Sequence, residues 1–160
     1  VKMSSYAPLF SHAEAWQWNP DLIWVNNTEV VGSPSYEVQK LYSLNKGHKV
    51  VPITSNHAVL AGMDSLYATA SMDTVLNELI VKVVNTLGKT QNLTIQLEGV
   101  KKVHADVKQI ILQNNDLMAH NSFDNNISVT PKENNLIIKS RKLEYLALPY
   151  SVSFFKIKMQ

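Results

Sequence analysis

The spacing of apolar residues changes near Gly47, from a helical period to an alternation of two. Before that point, Val38, Leu41 and Tyr42 stand at i, i+3 and i+4, which places them on one face of a helix. This spacing predicts an amphipathic helix over Ser33–Ser43. After Gly47, apolar and polar residues alternate over short runs, which is typical of half-buried β-strands.

The residues up to 47 predict one strand followed by that helix. Val1–Phe10 is a short apolar run, and a loop rich in tryptophan, Gln17–Trp24, comes after it. Ser33 can cap the helix, and Pro34 suits its first position. A parallel strand needs neighbours on both edges and cover on both faces. We therefore expect this single β/α unit to be the remnant of a larger barrel.

The residues from 48 to 160 predict an all-β domain. Short runs with strand character are separated by breakers such as Gly88, Gly99 and paired asparagines. The predicted strands are Lys49–Ile53, Leu66–Ser71, Asn77–Asn85, Leu93–Leu97, His104–Leu112, Ile127–Thr130, Leu136–Lys139 and Ser151–Lys158. Such a series indicates a sandwich or jelly roll. The predicted fold is mainly β: a jelly-roll-like antiparallel β-sandwich over 48–160, preceded by one β/α unit over 1–47.

Charge and composition argue against several classes of protein. Fifteen basic and 13 acidic residues give a net charge of +2 and are spread along the chain, which argues against nucleic-acid binding. No apolar run is long enough to span a membrane, and no signal peptide is recognisable. Cysteine is absent, so a disulfide framework and a thiolate metal site are excluded.

The spacing of ionisable residues predicts no catalytic or metal site. Glycoside hydrolysis needs two carboxylates on opposite sides of one bond. Among the 13 acidic residues only Glu14 lies near the end of a barrel-type strand, and it has no evident partner. The histidines do not stand at zinc-ligand spacing, and nucleophile-elbow and phosphate-loop motifs are missing. We expect no catalytic residue, no metal and no cofactor in this chain.

The tryptophans of the N-terminal segment allow two interpretations. Trp16, Trp18 and Trp24 could offer rings that stack on the apolar faces of sugars, or they could pack a barrel end against the β domain. Because tryptophan is usually mostly buried, packing is favoured by roughly two to one for each ring.

Several segments carry a specific pattern that covers nearly the whole chain. They are Ser5–Phe10, Gln17–Trp24 and Pro34–Ser43 near the N-terminus, and Leu66–Ser71, Glu78–Asn85, Asn121–Asp124, Val129–Pro131 and Leu148–Val152 in the β domain. Together these segments resemble glycoside hydrolase family 51, the α-L-arabinofuranosidases.

The resemblance implies a place for this chain within a larger enzyme. Members of the family join a (β/α)₈ barrel to a β-sandwich, and they release terminal arabinofuranose from hemicellulose and pectin with retention. Both catalytic glutamates would lie upstream of Val1, so the chain would hold the eighth barrel strand and helix and the C-terminal sandwich. It would be inactive alone. The tip of the eighth strand and the loop after it would place Ser5, Tyr6, Trp16 and Trp18 at the rim of the sugar pocket.

The partners follow from the same resemblance. We expect the upstream barrel of the same polypeptide, and through it arabinose-containing polysaccharides such as arabinan or arabinoxylan. We expect neither nucleic acid nor membrane. Polymer substrates imply a secreted or periplasmic enzyme. Because exposed strand edges invite pairing, a homodimer through the barrel remnant is also expected.

Two alternatives to a structural accessory domain stay open. A β-sandwich can act as a carbohydrate-binding module for arabinose-containing glycans, although the tryptophans all lie in the N-terminal segment rather than in the sandwich. The other alternative, an enzyme active by itself, requires a carboxylate pair that the sequence does not offer.

Overall fold

A computed structural model of the protein describes residues 5–55, 58–60 and 65–160. The chain forms two compact units. The first, here called the N-terminal unit, comprises Val1–Ser43 with Met118–Thr130; the second, the sandwich unit, comprises Leu44–Leu117 with Pro131–Gln160. The assignment of residues 1–47 to a barrel remnant and of 48–160 to a sandwich domain stays a prediction.

The N-terminal unit contains a small mixed sheet. Its strands are β1 (Phe10–His12), β2 (Ile23–Val25) and β3 (Val30–Gly32), in that order. Strand β1 runs parallel to β2, whereas β3 is antiparallel to it. The sequence predicted one strand here, so β2 and β3 were missed.

The helix α1 begins and ends close to its predicted limits, at Pro34–Leu44. The Ser33 hydroxyl accepts a hydrogen bond of 3.2 Å from the Tyr36 backbone N–H, as an N-cap does. Leu41 is the buried residue of the helix. Gly47 follows with a φ of +68°, a backbone conformation that glycine adopts most readily.

The predicted strand over Val1–Phe10 is wrong in its described part. Residues 5–9 are outside any strand, and β1 begins only at Phe10; residues 1–4 lie outside the described range. Pro8 has no N–H to give to a sheet. Its carbonyl instead accepts a hydrogen bond of 3.2 Å from the Leu22 N–H. This bond holds the segment before β1 beside the start of β2.

Antiparallel strands build the sandwich unit. They are β4 (Lys49–Val51), β5 (Thr54–Ser55), β6 (Ala58–Val59), β7 (Leu66–Asp73), β8 (Glu78–Asn85), β9 (Gln91–Gln96), β10 (Val103–Gln113), β11 (Lys132–Ile137), β12 (Lys142–Ala147) and β13 (Ser151–Met159). Within the described residues the larger sheet has the order β11-β10-β13-β8-β7-β4. Strands β9 and β12 form a second sheet, and β5 and β6 pair as a two-stranded sheet.

The core of this unit joins residues of the larger sheet to residues of β9 and β12. Alternate residues of the central strands, such as Val81 and Phe155, belong to the same buried cluster as Leu143 and Ala147 of β12. Alternation along a strand sends every second side chain to one face. The predicted class, mainly β with antiparallel sheets and one helix, is confirmed.

In this half of the chain one predicted strand is wrong, one strand was missed and one was displaced. Ile127–Thr130 forms turns rather than a strand. Strand β12 was not predicted, and the predicted strand Leu136–Lys139 covers only the end of β11. The turn between β11 and β12 has positive φ at Ser140 and Arg141, two residues that do not mark such a hairpin in the sequence.

The side chain of Asn85, at the end of β8, connects several parts of the sandwich unit. It is 1% exposed. Its amide nitrogen donates to the carbonyls of Ala147 and Leu148, each at 3.0 Å. Its oxygen accepts from the Leu87 N–H at 3.0 Å and from the Gln91 amide at 3.2 Å. One amide thus ties β8 to the end of β12 and to the turn that leads into β9.

We expect Asn85→Ala to destabilise the sandwich unit strongly. Each buried polar group left without a partner costs about 1–3 kcal/mol. The substitution removes the hydrogen-bond partner of several backbone groups at once, so the free energy of unfolding falls by more than about 3 kcal/mol. Chemical unfolding measures the change. The matched control is Asn92→Ala on the exposed side of β9, where surface substitutions change stability by less than about 0.5 kcal/mol. Equal losses in both variants would contradict the role of Asn85.

Burial of Tyr145 makes stability depend on pH. Its ring packs edge-on against Phe155 with centroids 4.6 Å apart. Burial raises the pKa of Tyr145 to about 12, while the Ser153 hydroxyl acts in the opposite direction. Above pH 10 the unfolded chain releases this proton and the folded chain retains it, so stability is full below pH 10 and is lost as pH rises towards 12.

The expected loss between pH 10 and 12 is on the order of 2 kcal/mol. Comparing unfolding of the wild type with Tyr145→Phe over this range isolates the contribution of this one phenol. The variant loses less stability than the wild type as pH rises. Parallel curves for the two proteins would show that Tyr145 ionises equally in the folded and unfolded states.

Candidate functional site

The loop between β1 and β2 of the N-terminal unit carries two exposed tryptophans. Trp16 is 51% exposed and Trp18 is 68% exposed. The Trp16 ring meets Trp24 of β2 edge-on, with centroids 6.2 Å apart and planes at 79°. Trp16 thus packs on Trp24 within the N-terminal unit, whereas Trp18 offers the freer ring, as stacking on a sugar requires. Packing of these rings against the β domain stays a prediction.

The other two residues expected at the rim precede β1. Ser5 is exposed and Tyr6 is half-buried. Both lie in the segment before Phe10 that forms no strand. A joint role of Ser5, Tyr6, Trp16 and Trp18 in sugar binding stays a prediction.

The acidic residues near this loop differ sharply in environment. Glu14 is exposed, and its backbone N–H donates to the His12 Nδ1 at 3.3 Å. Asp21 is fully buried, and neither of its carboxylate oxygens has a hydrogen-bond partner. Burial of a carboxylate without donors opposes folding. Sequence reasoning missed Asp21 because nothing in the pattern around it distinguishes a buried aspartate from a surface one.

Other kinds of site are absent from the described part of the chain. Over residues 5–55, 58–60 and 65–160, no group of three or more histidine, aspartate or glutamate side chains could hold a metal ion. No helix in these ranges is long and apolar enough to cross a membrane.

Asn121 holds the Met118–Thr130 segment within the N-terminal unit. Its amide donates to the carbonyls of Gly32 at 2.9 Å and Val129 at 3.1 Å. Its oxygen accepts from the Val129 N–H at 2.7 Å. The side chain is 7% exposed, so these bonds form away from water. The sequence suggested turn and strand here, and only the long-range bond to Gly32 shows where the segment belongs.

The sandwich unit has a groove that the sequence did not predict. It has a volume of about 500 Å³ and lies between β10 and β11 on one side and β12 on the other. We call it the sheet-edge groove. Polar side chains including Gln109, Asn134 and Glu144 line it together with Leu146 and Leu148.

Comparison with known proteins identifies the family of this chain. The family model of the α-L-arabinofuranosidase C-terminal domain matches residues 1–151. The chain belongs to this family. The resemblance to glycoside hydrolase family 51 is thereby confirmed, as is the expectation of a C-terminal accessory domain of such an enzyme.

Curated relatives agree with the family assignment. A probable α-L-arabinofuranosidase A of Aspergillus terreus is 32% identical over 96% of this chain and 23% of its own length. The α-L-arabinofuranosidase 1 of Arabidopsis thaliana is 29% identical over 98% of this chain, also 23% of its length. The chain thus spans about a quarter of the relatives that it matches.

Solved structures show the same fold. An arabinose-bound family 51 α-L-arabinofuranosidase, MgGH51, superposes with a TM-score of 0.88 at 27% identity and covers 98% of this chain and 24% of its own. An α-L-arabinofuranosidase from Thermotoga maritima, in complex with arabinose, has a TM-score of 0.71 at 18% identity over 87% of this chain and 32% of its own. At that identity the second likeness supports the fold alone.

We expect Asn121→Ala to loosen the segment that Asn121 holds. Removing the side chain leaves the Val129 N–H without its buried acceptor, at a cost of about 1–3 kcal/mol. Hydrogen exchange of the Val129 amide then accelerates by roughly 5- to 150-fold, because local opening becomes easier. The control is Asn125→Ala in the exposed part of the same segment. An unchanged exchange rate at Val129 in Asn121→Ala would contradict this role.

Proposed function

We propose that this chain completes a retaining α-L-arabinofuranosidase as its C-terminal accessory domain and is inactive by itself. The catalytic barrel of the same polypeptide would be its partner. The family membership supports this proposal, as does the quarter share of the relatives that the chain covers. The enzyme would release terminal arabinofuranosyl residues from hemicellulose or pectin.

In this proposal the N-terminal unit contributes to the barrel. Strands β1 and β2 are parallel, as barrel strands are. The loop after β1 would place Trp16 and Trp18 at the rim of the sugar pocket, with Ser5 and Tyr6 beside them. The exposure of Trp18 supports a contact that the N-terminal unit does not itself supply.

The substrate and location proposed here follow from the class of enzyme. Arabinan and arabinoxylan carry terminal arabinofuranosyl groups. Because such polysaccharides are degraded outside the cytoplasm, the enzyme would be secreted or periplasmic. Exposed apolar residues of the N-terminal unit, Leu9, Phe10 and Val30, support a face that is covered in the whole enzyme or in a homodimer.

A domain exchange tests the proposed function. This chain replaces the matching C-terminal part of the Aspergillus terreus relative, and the chimera is assayed with p-nitrophenyl arabinofuranoside beside this chain alone. We expect turnover by the chimera and none by the isolated chain. Turnover by the isolated chain, or a soluble and folded chimera without activity, would overturn the proposal.

Within the active chimera, we expect Trp18→Ala to raise the KM for arabino-oligosaccharides by about 3- to 10-fold, because an aromatic contact contributes about 0.5–1.5 kcal/mol. The kcat changes little, since Trp18 would bind sugar and not the reacting atoms. Tyr67→Ala, an exposed ring of the sandwich unit, is the matched control and keeps the original KM. If both variants keep that KM, Trp18 does not belong to the rim.

A further inference from the structure

We propose that the sheet-edge groove of the sandwich unit binds a short stretch of neutral oligosaccharide. The identity of the sugar as an arabinose-containing chain rests on the proposed function, whereas the neutral polyol character of the ligand rests on the groove itself. The binding would hold the polymer near the enzyme and take no part in hydrolysis.

The groove arises from the unequal widths of the two sheets. Strands β10 and β11 continue the larger sheet at one edge, while the smaller sheet consists of β9 and β12 within the described residues. Strand β12 pairs with β9 on one side only. The space beside its other edge, over β10 and β11, is left open as a concavity of about 500 Å³. Ligand pockets range from about 300 to 1,000 Å³.

The polar groups of the groove suit a ligand that both donates and accepts hydrogen bonds. Gln109, Gln113 and Asn134 line the groove with amides, a group that both donates and accepts hydrogen bonds. The Gln113 amide already donates to the Asn115 oxygen at 2.7 Å, so the remaining N–H groups and oxygens are the ones open to a ligand. The Asn134 amide donates to the Gln109 oxygen at 3.1 Å, which fixes the orientation of both side chains. A preorganised pair of this kind favours sugar hydroxyls, because each hydroxyl both donates and accepts hydrogen bonds.

The charges of the groove favour a neutral ligand. Lys132 and Glu144 line it together, and their opposite charges cancel. A phosphate or an acidic polymer would meet the Glu144 carboxylate, and a cation would meet the Lys132 ammonium. A neutral sugar can hydrogen-bond to both groups without such repulsion.

Apolar side chains complete the wall. Leu146 is 57% exposed and Leu148 is 37% exposed, although both line a concave surface. Exposed apolar groups beside fixed polar groups are typical of ligand sites, and here they suit the C–H face of a sugar ring. Tyr145 also lines the groove, but its ring is buried against Phe155 and offers no exposed face for stacking, so we expect a weak Kd of about 1 mM.

Nuclear magnetic resonance on the whole chain tests the proposal directly. Linear arabinopentaose is titrated into ¹⁵N-labelled protein, with xylopentaose and an extended peptide as separate probes. We expect saturable shifts of the side-chain amides of Gln109, Gln113 and Asn134 with the pentaoses. Shifts confined to the Trp16–Trp18 loop, no shifts at all, or β12 shifts with the peptide alone would each overturn it; the last would indicate strand addition at the β12 edge.

Neighbouring residues of β11 provide a matched pair of variants. Asn134 lines the groove, whereas Asn135 is the next residue and faces the opposite side of the strand. Asn134→Ala is expected to weaken pentaose binding at least tenfold, and Asn135→Ala to leave it unchanged. Leu146→Ala, with an exposed side chain, gives a second variant that does not depend on the Gln109–Asn134 bond. Equal affinities in all three variants would overturn the proposal.

The same variants separate this inference from the proposed function. In the chimera, Asn134→Ala is expected to leave turnover of p-nitrophenyl arabinofuranoside unchanged, because that substrate carries a single sugar ring, whereas the groove is proposed to bind a stretch of oligosaccharide. An inactive chimera with intact pentaose binding would refute the proposed function and leave the groove standing. An active chimera whose Asn134 amide does not respond to any pentaose would refute the groove proposal and leave the proposed function standing.

Discussion

The Asn85 side chain is the interaction on which the sandwich unit depends. Apolar packing is non-directional, so by itself it does not set where the smaller sheet lies on the larger one. Asn85 ends the central strand β8 and bonds to the Ala147 and Leu148 carbonyls where β12 ends. Because each of these bonds is directional and shielded from water, they fix where β12 crosses the larger sheet. The position of the sheet-edge groove follows from that crossing.

Asn121 does for the N-terminal unit what Asn85 does for the sandwich unit. In each case one amide satisfies backbone groups that are distant in sequence: Asn85 reaches residues 62 and 63 positions away, and Asn121 reaches Gly32, which is 89 positions away. An asparagine supplies donors and an acceptor from one planar group, so it can close an irregular turn that cannot join a ladder. Substituting aspartate would lose the donors that both sites use.

Local pattern was sufficient to predict most of the sandwich from the sequence, because β8, β10 and β13 have strong strand character and cross the middle of the larger sheet. The capped helix was predicted for the same reason. The failures have identifiable causes. Strand β12 follows a turn at Ser140 and Arg141 that carries no glycine or asparagine, and the Val129 N–H bonds to the side chain of Asn121 in the same segment rather than to a strand partner. The groove depends on how two sheets cross, which periodicity cannot express.

Asp21 shows the limit of explaining this chain by its stability alone. Its carboxylate is fully buried without a hydrogen-bond donor, beside Leu22, which packs as an ordinary core residue at 4% exposure. Burial of a carboxyl group without hydrogen-bond donors opposes folding at this position, and a leucine would leave no buried polar group there. Buried polar groups without partners concentrate where function or strain overrides stability. Asp21 lies in the same loop between β1 and β2 as Trp16 and Trp18, so this unfavourable burial occurs in the short segment whose exposed rings are proposed to bind sugar.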